Sequence, residues 1–94
     1  MVLFLIVYEE VLDGEVISLL DRTNLDRYIK WDKVKGKWRE KHMDNHVWPG
    51  KYHVILTMLE KSEVEMFKKE IKKLQQKFSA DEIWGWLFSL EEIV

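Results

Sequence analysis

The chain has 94 residues, 47% of them apolar, with no cysteine and a formal charge of −2 from 15 basic and 17 acidic residues. That length predicts one domain, and the missing cysteines exclude disulfides, thiol nucleophiles and thiolate metal sites. The charge balance supplies no positive field for a phosphate backbone, so a nucleic-acid partner is not expected.

Val2 to Tyr8, V-L-F-L-I-V-Y, is apolar throughout and rich in β-branched and aromatic residues. It predicts a first strand buried on both faces. It is too short to span a bilayer and lacks the basic start and small-residue cleavage site of a signal peptide. No direct membrane insertion is expected, and a cysteine-free chain suits the cytoplasm. Glu9 and Glu10 end the strand. Asp13 fits the N-cap of a short helix, with Glu15 in its first turn. Val16, Ile17, Leu19 and Leu20 form its buried side. Thr23 and Asn24 stop it, since Asn tolerates the left-handed conformation common at helix ends.

Leu25 to Val34 reads as a second strand, with Tyr28 and Trp31 at packed positions. Tyr52 to Leu59, Y-H-V-I-L-T-M-L, is the third, apolar on both parities. Ser62-Glu63-Val64-Glu65 has the form of a capping box. Val64, Phe67, Ile71, Leu74 and Phe78 then recur at spacings of three and four, which predicts an amphipathic helix. Its lysines Lys68, Lys69, Lys72, Lys73 and Lys77 form a solvated face. Ser79 to Glu82 turns the chain into a fourth strand, Ile83 to Phe88. The acidic pair Glu91 and Glu92 leads to Ile93-Val94.

The order β-α-β-β-α-β predicts the ferredoxin-like α+β arrangement, a four-stranded antiparallel sheet with two helices on one face. A sheet with one wet face alternates apolar and polar residues. The first, third and fourth strands do not alternate. Both helices are already used on one face, so the other must be covered from outside the fold. Burial is worth about 25 cal/mol per Å², and self-association through the sheet is the expected outcome.

Between the second and third strands lies Lys33 to Gly50, K-V-K-G-K-W-R-E-K-H-M-D-N-H-V-W-P-G. It holds the one Pro, two of the four Gly, two of the three His and two of the five Trp. A long irregular segment in so small a domain points to function. His42 and His46 are four apart, with Asp44 between them. On a helical turn both imidazoles would share a side, and from a loop they could equally bracket an ion. Neutral imidazole suits Zn, Cu, Ni or Fe. Asp44, Glu40 or a neighbouring copy would complete the set, so a divalent metal ion is the one cofactor suggested. Hydrogen-bonding surface histidines are the simpler reading. Trp48-Pro49-Gly50 reads as a rigid exit, with Pro49 restricting Trp48 and Gly50 permitting an unusual turn. Gly36 is placed to allow a bend or bulge, and Trp38 either docks a partner or packs. His53, in the third strand, is read as a satisfied or edge histidine. Trp84 and Trp86 share a parity and fit an interface core.

The chain resembles the PII-like group, small trimeric regulators related to nitrogen-regulatory PII proteins and divalent-cation tolerance proteins. Three stretches carry the resemblance: L-F-L-I-V-Y-E-E-V-L-D-G-E-V near the start, H-M-D-N-H-V-W-P-G at the end of the loop, and W-G-W-L-F-S-L-E-E-I-V at the close. The H-x-x-x-H-V-W-P-G element resembles the hallmark of one branch. The resemblance implies a homotrimer, effector binding in clefts between subunits, and a loop that signals to a partner, often a membrane transporter or an enzyme. Adenine nucleotides are among the group's usual effectors, held by a Gly- and Lys-rich loop before the last strand. This chain departs there, with Lys77-Phe-Ser-Ala-Asp-Glu82 and no Gly.

Two function classes follow. The first is a non-enzymatic trimeric regulator that binds a small effector or metal ion and signals through the loop. The alternative is a small oligomeric α+β-barrel enzyme, an isomerase or monooxygenase with His42, His46 or His53 as general base. A deep apolar pocket within one subunit, walled by a His, would favour the enzyme.

Overall fold

A computed structural model describes residues 1–38, 41–42 and 51–94, with only the backbone at 37–38 and 41–42. Strand β1 spans Val2–Glu9, and a single 3-10 turn at Glu10–Leu12 leads into helix α1, Asp13–Arg22. Strands β2 (Tyr28–Val34), β3 (Lys37–Trp38), β4 (Lys41–His42) and β5 (Tyr52–Leu59) follow. Helix α2 spans Lys61–Lys77 and strand β6 spans Ile83–Ser89. The main sheet has the order β2-β5-β1-β6 and is antiparallel throughout. It is the predicted ferredoxin-like arrangement, with the first and third long strands central.

One face of the sheet packs on both helices. Phe4, Ile6 and Tyr8 of β1, Ile55 and Leu59 of β5 and Ile83 of β6 meet Leu12, Val16, Leu19 and Leu20 below α1. On the α2 side they meet Phe67, Ile71 and Leu74. The predicted faces of both helices are therefore the buried ones. Phe4 sets its ring against Phe67 at 5.2 Å in an edge-on contact. Gln75 Nε2 donates to the Ile83 carbonyl at 3.0 Å, pinning α2 to β6.

Two helix starts differ from expectation. Asp13 is not a cap: α1 continues from the 3-10 turn, Leu12 holds the cap position, and no side chain bonds to the free amides there. The Asp13 carboxylate is used elsewhere, as described below. The capping box of α2 lies two residues before the predicted one. Glu60 is the N-cap, and its amide donates to Glu63 Oε1 at 2.8 Å. At the end of α1, Asn24 takes the expected left-handed conformation with φ 57°, and Thr23 Oγ1 donates to the Leu19 carbonyl at 2.8 Å.

Lys33 to Gly50 is not irregular throughout. β3 and β4 pair as a short antiparallel ladder, with Lys37 opposite His42 and Trp38 opposite Lys41. β2 begins at Tyr28, three residues later than predicted.

Candidate functional site

The face of the sheet away from the helices is apolar across all four strands, up to the Glu9–Tyr52 pair at its end. The pairings place Leu3, Leu5 and Val7 of β1 beside Met58, Leu56 and Val54 of β5 and beside Phe88, Trp86 and Trp84 of β6. Ile29 and Trp31 of β2 extend the row across Leu56 and Val54. Val7, Tyr52 and Trp84 are buried there against Leu5, Val34 and Val54. The Trp84 ring lies 5.7 Å from Tyr52 and 6.5 Å from Trp86. Toward the edges the surface opens: Ile29 is 56% exposed, Trp31 45% and Phe88 46% in the single chain. Tyr28 and Trp31, expected at packed positions, are thus both exposed. A cavity of about 420 Å³ lies at one end of the face, lined by Leu3, Ile29, Leu56 and Met58 with Arg27 among its polar groups. No histidine lines it.

The root of the 33–50 segment is built around a β-bulge. Trp31 pairs with Val54 and Val34 with Tyr52, so Asp32 and Lys33 together oppose the single residue His53. A two-against-one arrangement bends a strand and re-aims its side chains. Lys33 takes φ 54°, a conformation uncommon for a residue with a side chain. Gly36 was the expected bend, but no described glycine has positive φ. The bend falls three residues earlier because a hydrogen bond fixes it there: the Lys33 amide donates to His53 Nδ1 at 3.2 Å. The other side of the root is held by the Glu10 amide, which donates to the Lys51 carbonyl at 2.7 Å. The Tyr52 hydroxyl also donates to Glu9 Oε1, at 3.3 Å.

His53 is buried on the helix side of a central strand and makes an edge-on ring contact with Tyr8 at 5.7 Å. Around it lies a polar cluster that sequence reasoning missed. The Tyr8 hydroxyl donates to Asp13 Oδ1 at 2.6 Å. Lys30 Nζ lies 2.8 Å from the same oxygen and 3.4 Å from Asp32 Oδ1. Asp32 Oδ1 in turn lies 3.2 Å from His53 Nδ1. Burial, and then the hydrogen bond to Asp13, push the Tyr8 phenol well above its usual value. Burial alone would raise the Asp13 carboxyl, but hydrogen bonds from Lys30 and Tyr8 hold it below the usual range. The bond to Asp13 raises the Lys30 ammonium against the opposing effect of burial. The detectable signal was a Tyr and a His ending otherwise apolar strands, where a polar tip needs a partner.

The backbone of Trp38 lies in β3 and that of His42 in β4, where they pair with Lys41 and Lys37. Glu40, Asp44, His46, Trp48, Pro49 and Gly50 lie outside the described residues, as do the side chains of Trp38 and His42. Among the described residues, no three His, Cys, Asp or Glu side chains gather to hold a metal ion. Nor is any described helix long and apolar enough to cross a membrane.

No protein-family model matches the sequence, and no curated protein matches it. Solved structures do match. CPII from Thiomonas intermedia K12, bound to ADP and bicarbonate, superposes with a TM-score of 0.73 at 16% identity, over 93% of this chain and 82% of that one. The apo form of the same nitrogen regulatory PII-like protein gives 0.69 at 13% identity, over 93% and 85%. The fold is that of the PII-like proteins. A DUF3240 family protein from Shewanella baltica OS155 shares it too, with a TM-score of 0.75 at 8% identity, over 99% and 92% of the two chains. In this PII-like fold the bulged root and the segment it carries join the second and third strands of the main sheet. The apolar face lies on the side without helices.

Proposed function

We propose that this chain is a non-enzymatic PII-like regulator. Three copies pack their apolar sheet faces together, a small effector or metal ion binds in the clefts between them, and the segment between β2 and β5 signals to a partner protein. The observation that carries this reading is the uninterrupted apolar face, from Ile29 and Trp31 across to Trp86 and Phe88. A monomer with such a surface would be adhesive, and the fold is shared with a PII-like protein that binds ADP and bicarbonate.

The effector divides into two chemical classes. His42, Asp44 and His46 suit a divalent metal ion. Gly36, Trp38, Trp48, Pro49 and Gly50 would frame the segment around it. ADP and bicarbonate, bound by the structural neighbour, are the other class. They would have to bind here without a glycine-rich turn, since Lys77 to Glu82 lacks one. The regulatory target is a cytoplasmic enzyme or the cytoplasmic side of a membrane transporter.

Sedimentation at micromolar concentration tests the assembly, and a single chain there would overturn the reading. Calorimetry with Zn²⁺, with ADP and with bicarbonate distinguishes the effector classes. Heat from Zn²⁺ that disappears in His42→Ala and His46→Ala supports the metal, whereas equal heat in the variants removes it. Among the described residues the enzyme reading gains no support: His53 Nδ1 accepts the Lys33 amide, and His53 lines none of the described cavities.

A further inference from the structure

His53 Nδ1 has two neighbours that require opposite protonation states. The Lys33 amide can only donate, so its 3.2 Å hydrogen bond needs a bare nitrogen lone pair. The Asp32 carboxylate, also at 3.2 Å, can only accept, so it favours a protonated nitrogen. Both cannot be satisfied at once. The Lys33 bond selects the neutral tautomer with its proton on Nε2, in which Asp32 gains nothing from Nδ1.

The charges around the ring point the same way. Tyr8 faces it from β1, Asp13 from the first turn of α1, and Lys30 and Asp32 from β2. Two carboxylates and one ammonium leave the cluster one positive charge short. Lys30 already bridges Asp13 and Asp32, so a proton on His53 would balance the set.

We infer that His53 is a proton-binding switch for the β2 bulge. When the imidazole is neutral, Nδ1 holds the Lys33 amide and keeps Lys33 in its left-handed conformation. When it is protonated, the Nδ1–H donates to Asp32 and the Lys33 amide loses its acceptor. A residue with a side chain keeps positive φ only where its surroundings enforce it. Losing that bond therefore frees the bulge to relax toward ordinary extended geometry. The last rung of the ladder, Val34 with Tyr52, sits directly beyond it. Acid would thus change how β2 leaves the sheet at the root of the 33–50 segment. This signalling consequence rests on the regulator reading above, but the switch is read on the protein without effector, so the two fail separately.

Nuclear magnetic resonance of the full chain tests it, since long-range nitrogen–proton spectra report the ring tautomer. As the pH is lowered from 8 to 5, the ring nitrogens show whether the Nε2–H tautomer of His53 gives way to imidazolium. Over the same range, Lys33 amide protection, corrected for intrinsic exchange and referenced to Ile55, should fall about fivefold, the effect of one lost hydrogen bond. In Asp32→Asn, an exposed position that leaves the core untouched, the same fall should move to lower pH. An Nδ1–H tautomer at pH 8 would overturn the switch. So would an imidazole that does not titrate in this range, Lys33 protection that follows Ile55 throughout, or an unmoved midpoint in Asp32→Asn.

Discussion

A Cβ built on Gly85 would overlap the Phe4 ring at Cε1 and stand 3.0 Å from the Leu5 carbonyl oxygen. Gly85 lies on the helix side of β6, opposite Ile6, where it leaves room for the buried Phe4 ring that packs on Phe67. Gly85→Ala should destabilise the fold by about 1–3 kcal/mol, the usual cost of overpacking. Urea unfolding measures it. A neutral substitution would mean that Phe4 has room to move.

The Tyr8 hydroxyl bonds to a carboxylate whose side chain is 37% exposed. Tyr8→Phe keeps the ring and its contact with His53 but removes that bond. The expected loss is about 1.5 kcal/mol, the lower end for a hydrogen bond to a charged group, because water partly replaces it. The urea midpoint should drop with an unchanged slope.

The same cluster shapes stability against pH. The folded Asp13 carboxyl is depressed, so its contribution is complete above the ordinary value near pH 4 and is lost as pH falls through the folded value. The Tyr8 phenol and Lys30 ammonium are raised. Their contributions are complete below about pH 10 and are lost as pH rises through their folded values. Unfolding free energy should therefore fall at both ends of the scale. Asp13→Asn should abolish its own acid limb and shrink the alkaline one. A variant profile parallel to that of the parent protein would show that the cluster is not coupled to folding.

Trp86 sits on the open face between Trp84 and Phe88 and opposite Leu5, and it is more than a third exposed in the single chain. Placing a charge there should leave the helix-side core intact but make burial of this face between copies costly. Trp86→Glu is expected to give a folded single chain by sedimentation, with the helical circular dichroism retained. An assembly that survives the change would place the contact between copies elsewhere.

Sequence alone determined the elements and their order, because periodicity is a local property. The spacing of Val64, Phe67, Ile71, Leu74 and Phe78 matches a helix with one buried side, and strands apolar on both parities give a sheet whose two faces are both apolar. The resemblance carried by residues 3–16, 42–50 and 84–94 led to the PII-like fold. Tertiary structure decided which long-range pairs meet. Asp13 was assigned to its own helix as a cap, yet Lys30, 17 residues away, and Tyr8 claim it. The bend before the special segment was assigned to Gly36, yet it falls at Lys33 because His53, on the neighbouring strand, accepts its amide. A hydrogen bond across a sheet depends on register, and register is fixed only when the strands pair. No pattern within either strand could reveal it.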